Sequence, residues 1–226
     1  MNRTRQEDYK IALHEGGHVV VGRALGGEIG GATITPTEFF SGRVWGPNGD
    51  PSHLGSGFDV CSEARPYLPR LGEPRSDAAE LFTHAIGRCI ELAAGTASEK
   101  LFFPDDESLA ASDDQRQSSA FAELLCCTPP AISAFLVYAA SEAAALLDEH
   151  RDVVIAVADA LIERRTMTGE QIDQIIADAL ALEDLAAERE RRAAWAKTIA
   201  SAAAFACGDC VEMNSGADEG VKEITP

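Results

Sequence analysis

Positive charge is scarce in this chain: its 226 residues carry 19 Lys and Arg against 37 Asp and Glu, a net charge of -18. So acidic a surface repels a phosphate backbone, which excludes nucleic acid as an expected partner. Long apolar runs are also lacking. The most apolar stretches, near 131–140 and 199–207, are about ten residues long and rich in alanine. A membrane span needs roughly twenty. Residues 1–8 are polar and lack the apolar core of a secretory signal. No membrane span is expected, and the expected location is cytoplasmic. The six cysteines form no framework, and two of them, Cys126 and Cys127, are adjacent, which is ordinary reduced usage. Cys207 and Cys210 make a lone C-x-x-C without the second ligand pair that a structural zinc site needs.

What the chain does have is His14-Glu15-Gly16-Gly17-His18, an H-E-x-x-H. On a helix, residues four apart share a face, so His14 and His18 can present two imidazoles to one zinc ion. Glu15 stands where its carboxylate reaches a metal-bound water and takes its proton. The surrounding pattern predicts a helix over residues 6–25, with Ile11, His14, His18, Val21 and Leu25 on its inward stripe. Gly16 and Gly17 each cost about 1 kcal/mol against Ala in mid-helix, so another backbone is expected to pass close by.

After the glycines at 26–31, short strands are expected at 32–35 and 42–45, making a small β ribbon in a Pro- and Gly-rich stretch. Capping boxes at Asp77-x-x-Glu80 and at Ser112–Gln115 open helices through about 103 and 127. Pro129-Pro130 starts a helix to about 147, and another follows to Arg164, with His150 at the junction. A short helix after Thr168 and an Ala-rich helix over 183–204 complete a mainly α chain. From spacing alone a third metal ligand stays open among Glu38, His53, Glu99, Asp113 and Asp114. The metzincin extension is excluded, because Val21 and Ala24 stand where it needs Gly and His.

Four segments, in this order, resemble the zinc peptidase domain of the FtsH-type AAA proteases. Leu13–His18 resembles the family's H-E-A-G-H helix, with Gly16 in place of Ala. Thr33-Ile34-Thr35-Pro36 with Ser41-Gly42-Arg43-Val44-Trp45 resembles the strand-turn-strand whose edge binds the substrate backbone. Ala94-Gly95-Thr96-Ala97-Ser98-Glu99 resembles the G-R-x-A-E segment, with Thr96 in place of Arg. Ala111-Ser112-Asp113-Asp114 resembles the A-S-N-D segment that supplies a distant aspartate ligand. Further on, 144–161 and Thr166–Glu170 resemble the family's closing helices and their turn.

The resemblance covers about residues 6–182. It implies a helical zinc-peptidase domain at 1–182 with the β ribbon after the H-E-x-x-H helix; outside the resemblance, composition predicts a C-terminal helix at 183–205 and a polar, disordered tail at 206–226. It implies Zn2+ held by His14, His18 and Asp114, with Glu15 as the base. Glu99 orients a ligand histidine or makes a helix–helix hydrogen bond. Gly42, Arg43, Val44 and Trp45 are the expected substrate-binding strand. The implied activity is endopeptidase action on peptides or unfolded segments. No G-x-x-x-x-G-K-[ST] occurs, so the expectation is a stand-alone peptidase domain, with any ATPase a separate partner. The family's hexameric ring is not carried over, and an oligomer stays open. The alternative is a non-catalytic module on the same fold that binds peptides or a partner.

Overall fold

The structure is a computed structural model that describes residues 3–47, 49, 62, 64–106 and 112–214. The chain divides into two units, Met1–Ala179 and Leu180–Pro226.

The first unit is built around helix α1 (Arg5–Ala24). Thr4 caps it reciprocally: its hydroxyl accepts from the Glu7 N–H, and the Glu7 carboxylate accepts from the Thr4 N–H. From Lys10 to Gly22 every residue except His14 is buried. A single inward stripe was therefore too narrow an expectation, because this helix is enclosed on nearly all sides. Leu25, expected on the stripe, lies beyond the helix end and is exposed.

Strands β1 (Gly31–Thr33) and β2 (Arg43–Trp45) pair antiparallel, Ala32 opposite Val44. The ribbon is larger than expected. A third strand, β3 (Thr166–Thr168), pairs with the other side of β1, Ala32 opposite Met167, giving the order β2-β1-β3. It lies in the stretch read as a turn, because three residues with only Met167 pointing inward carry too short an alternation to read. β2 is left at an edge.

Helix α2 (Ala79–Phe102) follows a 3-10 turn at Arg75–Ala78. The capping box expected at Asp77 and Glu80 is not formed: the cap residue is Ala78, without a side-chain bond, and the preceding turn bonds the Ala79 N–H to Ser76. Ile90 and Leu92 are buried, and Ile86 is exposed. Helices α3 (Ser112–Leu125), α4 (Pro129–Glu149) and α5 (Arg151–Arg164) follow, with half-buried His150 at the α4–α5 junction. α1 packs on α2 and α5, and α2 packs on α3 and α4. α4 exceeds the ten-residue apolar run expected: by length and composition it is the one described helix able to cross a membrane, with mean hydropathy 1.5 over its best window. Its Ala139, Ala143 and Leu147 are buried in the core.

Helix α6 (Gly169–Asn214) begins in the first unit, where Thr168 and Gln171 cap it reciprocally and Ile172 is fully buried. It runs unbroken where a short helix and a separate one were expected, since residues 180–184 contain no Gly or Pro to interrupt it. In the second unit it exposes Leu182, Leu185, Trp195 and Ile199, and Glu188 pairs with Arg191 and Arg192. Residues 215–226 of the expected tail, and the side chains of Cys207 and Cys210, lie outside what is described.

Candidate metal centre

Two glycines set the spacing on which the centre depends. A Cβ on Gly17 would lie 2.8 Å from Ser98 Cβ and 2.9 Å from the Ala94 carbonyl oxygen, so α1 and α2 meet backbone to backbone there. The Ser98 hydroxyl spans the same contact, donating to the Leu13 carbonyl at 2.7 Å. On the same turn, between Ala94 and Ser98, Gly95 faces the imidazoles. A Cβ on it would stand 2.3 Å from His14 Nε2 and 2.5 Å from His18 Nε2, so its missing side chain keeps a space open beside both nitrogens.

His14 and His18 turn their Nε2 atoms toward each other, 3.1 Å apart. Asp114, in the first turn of α3, brings Oδ2 to 3.2 Å from His14 Nε2 and 3.4 Å from His18 Nε2. Each ring is fixed from behind. His14 Nδ1 lies 2.6 Å from Glu99 Oε1, and His18 Nδ1 lies 2.7 Å from the Glu91 carbonyl oxygen. Both partners only accept, so each Nδ1 carries the hydrogen. In the neutral rings the two Nε2 lone pairs then face one another and a carboxylate oxygen, with no proton among the three. Such an arrangement calls for a cation.

The dimensions fit one. Zinc–ligand bonds of roughly 2.0–2.1 Å at tetrahedral angles place neighbouring ligand atoms about 3.3 Å apart. The observed triangle has edges of 3.1, 3.2 and 3.4 Å. His14, His18 and Asp114 are also the one described group of His, Cys, Asp and Glu side chains disposed to hold a metal ion. Glu15, Glu99 and Asp114 bring three carboxylates to the neighbourhood, a local excess that a divalent ion offsets.

The electrostatics point the same way. Burial disfavours charge on His14, but the hydrogen bonds that Asp114 and Glu99 accept from it raise its pKa to about 10. His18 is raised too, with burial opposing and the Asp114 hydrogen bond prevailing. Burial works against the charged form of Asp114, yet bonds from the two histidines hold its carboxyl below the usual range. Burial pushes the Glu15 carboxyl up, against the lowering pull of His14 and His18.

Glu15 is enclosed at 6 % exposure. A Cβ on Gly42 would lie 2.4 Å from its Oε1, so the backbone entering β2 lies directly against this carboxylate. Arg43 adds positive charge to the field at Glu15 and stacks over Phe40. The strand expected to bind substrate is thus adjacent to the candidate base.

Among the other candidates, Glu38 is exposed and outside the cluster. Asp113 is exposed and bonds Arg116 and Gln117 along α3. His53 lies outside the described residues. Glu99 is 1 % exposed and bonded to His14, which makes the contact with a candidate ligand histidine an observed one. Sequence reasoning missed Gly95 and the Glu91 carbonyl. The Gly95 signal was available, since a mid-helix glycine carries the same cost that drew attention to Gly16 and Gly17. A backbone acceptor leaves no mark in a sequence. No protein-family model matches the chain, and no curated protein does.

Proposed function

We propose that this chain is a zinc-dependent endopeptidase of the FtsH-like type, hydrolysing peptides or unfolded protein segments. The observation that carries the reading is the lone-pair triangle of His14, His18 and Asp114 with buried Glu15 next to it in sequence and in the fold. His14, His18 and Asp114 would hold the ion. Zinc bound by three protein groups with an open fourth position lowers the pKa of its water to about 7 and polarises a carbonyl.

The remaining work falls to side chains of this chain. Glu15, raised by burial and packed by Gly42, takes a proton from the attacking water and passes it to the leaving amine. Glu99 and the Glu91 carbonyl hold the two rings with Nε2 facing the gap. β2 stands at one end of the strand order β2-β1-β3, the position at which an extended chain adds to a sheet.

The test joins metal analysis to peptide cleavage. Wild type is expected to hold one zinc per chain and to cut unfolded protein. Glu15→Gln is expected to keep the zinc and lose about 10²- to 10⁴-fold in kcat, and Asp114→Ala to lose the zinc. Unchanged cleavage by Glu15→Gln sinks the reading. Zinc-loaded wild type that binds peptides saturably and cuts none identifies a binding module instead.

A further inference from the structure

Residues 189–203 of α6 are all exposed, as are Ala181, Leu182 and Leu185 before them. A helix in water draws most of its stability from packing an apolar face. This stretch has such a face. Ala181, Leu185, Glu188, Arg192, Trp195 and Ile199 follow one another in alternating steps of four and three residues, the spacing of a coiled-coil seam. Leu185, Trp195 and Ile199 are each more than half exposed. Apolar residues stand at the two ends of the seam and a charged pair in its middle, where Glu188 binds Arg192 one turn on.

Charge indicates what covers this seam. Residues 181–199 hold four acidic and four basic side chains, so the stretch is neutral within a chain of net charge -18. Two copies repel one another over most of their surface and least here. A neutral stretch also has no electrostatic pull toward anionic lipid.

The order of the seam residues then sets the orientation. In a parallel pair Glu188 meets the partner's Glu188, and Arg192 meets the partner's Arg192. In an antiparallel pair centred on residue 190, Glu188 meets the partner's Arg192 and Arg192 meets the partner's Glu188. The two pairs within the helices thus face each other reversed, and the four charges alternate in sign. The same register sets Leu185 against the partner's Trp195 and Ala181 against the partner's Ile199. Glu190, two residues from both Glu188 and Arg192, falls on the opposite side of the helix from the seam.

We infer that residues 181–199 are a self-association surface through which two copies of this chain pair antiparallel, each seam meeting its own reverse in a two-fold contact. The surface uses no residue of the metal centre, so it goes beyond the peptidase reading and is tested without it.

Analytical ultracentrifugation of the full chain, with no metal or substrate added, provides the test. Wild type is expected to dimerise with a Kd of about 1–100 µM, as suits a small contact. Leu185→Glu and Trp195→Glu, both at exposed positions, are each expected to weaken the dimer about 10-fold or more. Glu188→Arg and Arg192→Glu each place like charges in both central layers of the antiparallel pair, and each alone is expected to weaken it about 10-fold or more. Mixed together, these two variants present opposite charges in both layers, and the dimer is expected to return to within about threefold of the wild-type Kd. Thermal melts confirm that each variant keeps its folded core. A wild type that stays monomeric at about 1 mM overturns the inference. So does a monomer that floats with lipid vesicles, which assigns the face to a membrane instead. A dimer that survives both Leu185→Glu and Trp195→Glu forms elsewhere on the chain and overturns it too. A dimer lost in those variants but indifferent to both charge variants overturns the antiparallel pairing.

Discussion

At His14, two hydrogen-bonded carboxylates outweigh burial and hold the ring protonated up to a pH of about 10. A cation entering the triangle must therefore displace a proton at neutral pH. Metal binding at pH 7 is expected to release about one proton from this ring, and affinity is expected to fall as the pH is lowered below about 10. Calorimetric titration in buffers of different ionisation enthalpy reads the proton directly. Glu99, which fixes the ring from behind, sets a second expectation: Glu99→Gln weakens metal binding about 10- to 100-fold while leaving a folded chain, measured by competition with a chromogenic chelator. At this scale the sequence was informative where chemistry and local spacing coincide. The four-residue step from His14 to His18 is such a case. Asp114 is a hundred residues away from His14, and no spacing rule links them; only the resemblance singled it out. Gly95 and the Glu91 carbonyl act through shape and backbone, which residue type does not announce.

Helix α1 is held between α2 and α5, and its two adjacent glycines meet them differently. A Cβ on Gly16 would find the Val154 carbonyl oxygen at 3.4 Å, an ordinary contact, whereas one on Gly17 would be driven into Ser98 and Ala94. Gly16→Ala is therefore expected to stabilise the protein by up to about 1 kcal/mol through helix propensity. Gly17→Ala is expected to destabilise it by about 1–3 kcal/mol through overpacking. Thermal and urea denaturation of the two variants measure both signs. The close backbone approach was legible from these glycines, but which helix approached which was not. The start of the helix opened by Thr168 and Gln171 was readable too, but its length was not. The third strand was not, because its pairing with β1 joins residues more than a hundred positions apart and rests on one inward side chain, Met167. The break expected near residue 182 failed for a related reason: a change of composition is not a helix stop when no Gly or Pro accompanies it.

At the scale of the molecule, the buried apolar residues among those described run from Ile11 to Ala179, all within the first unit. A chain ending at residue 182 is accordingly expected to keep its metal affinity and to melt within about 4 °C of the full chain, the equivalent of roughly 1 kcal/mol. Scanning calorimetry of the two forms, each with and without metal, checks it. A larger loss assigns the C-terminal stretch a part in stabilising the first unit. The triangle of ligands also has a topological meaning. His14 and Asp114 are separated by 100 positions, with α2 between them in the chain. A bound ion is then a reversible staple across most of the first unit, closing a loop for which a covalent cross-link would contribute about 4.7 kcal/mol by the chain-entropy relation. The three ligands lie on α1 and α3, with α2 packed against both, so an ion bound there would complete its site only after these helices dock.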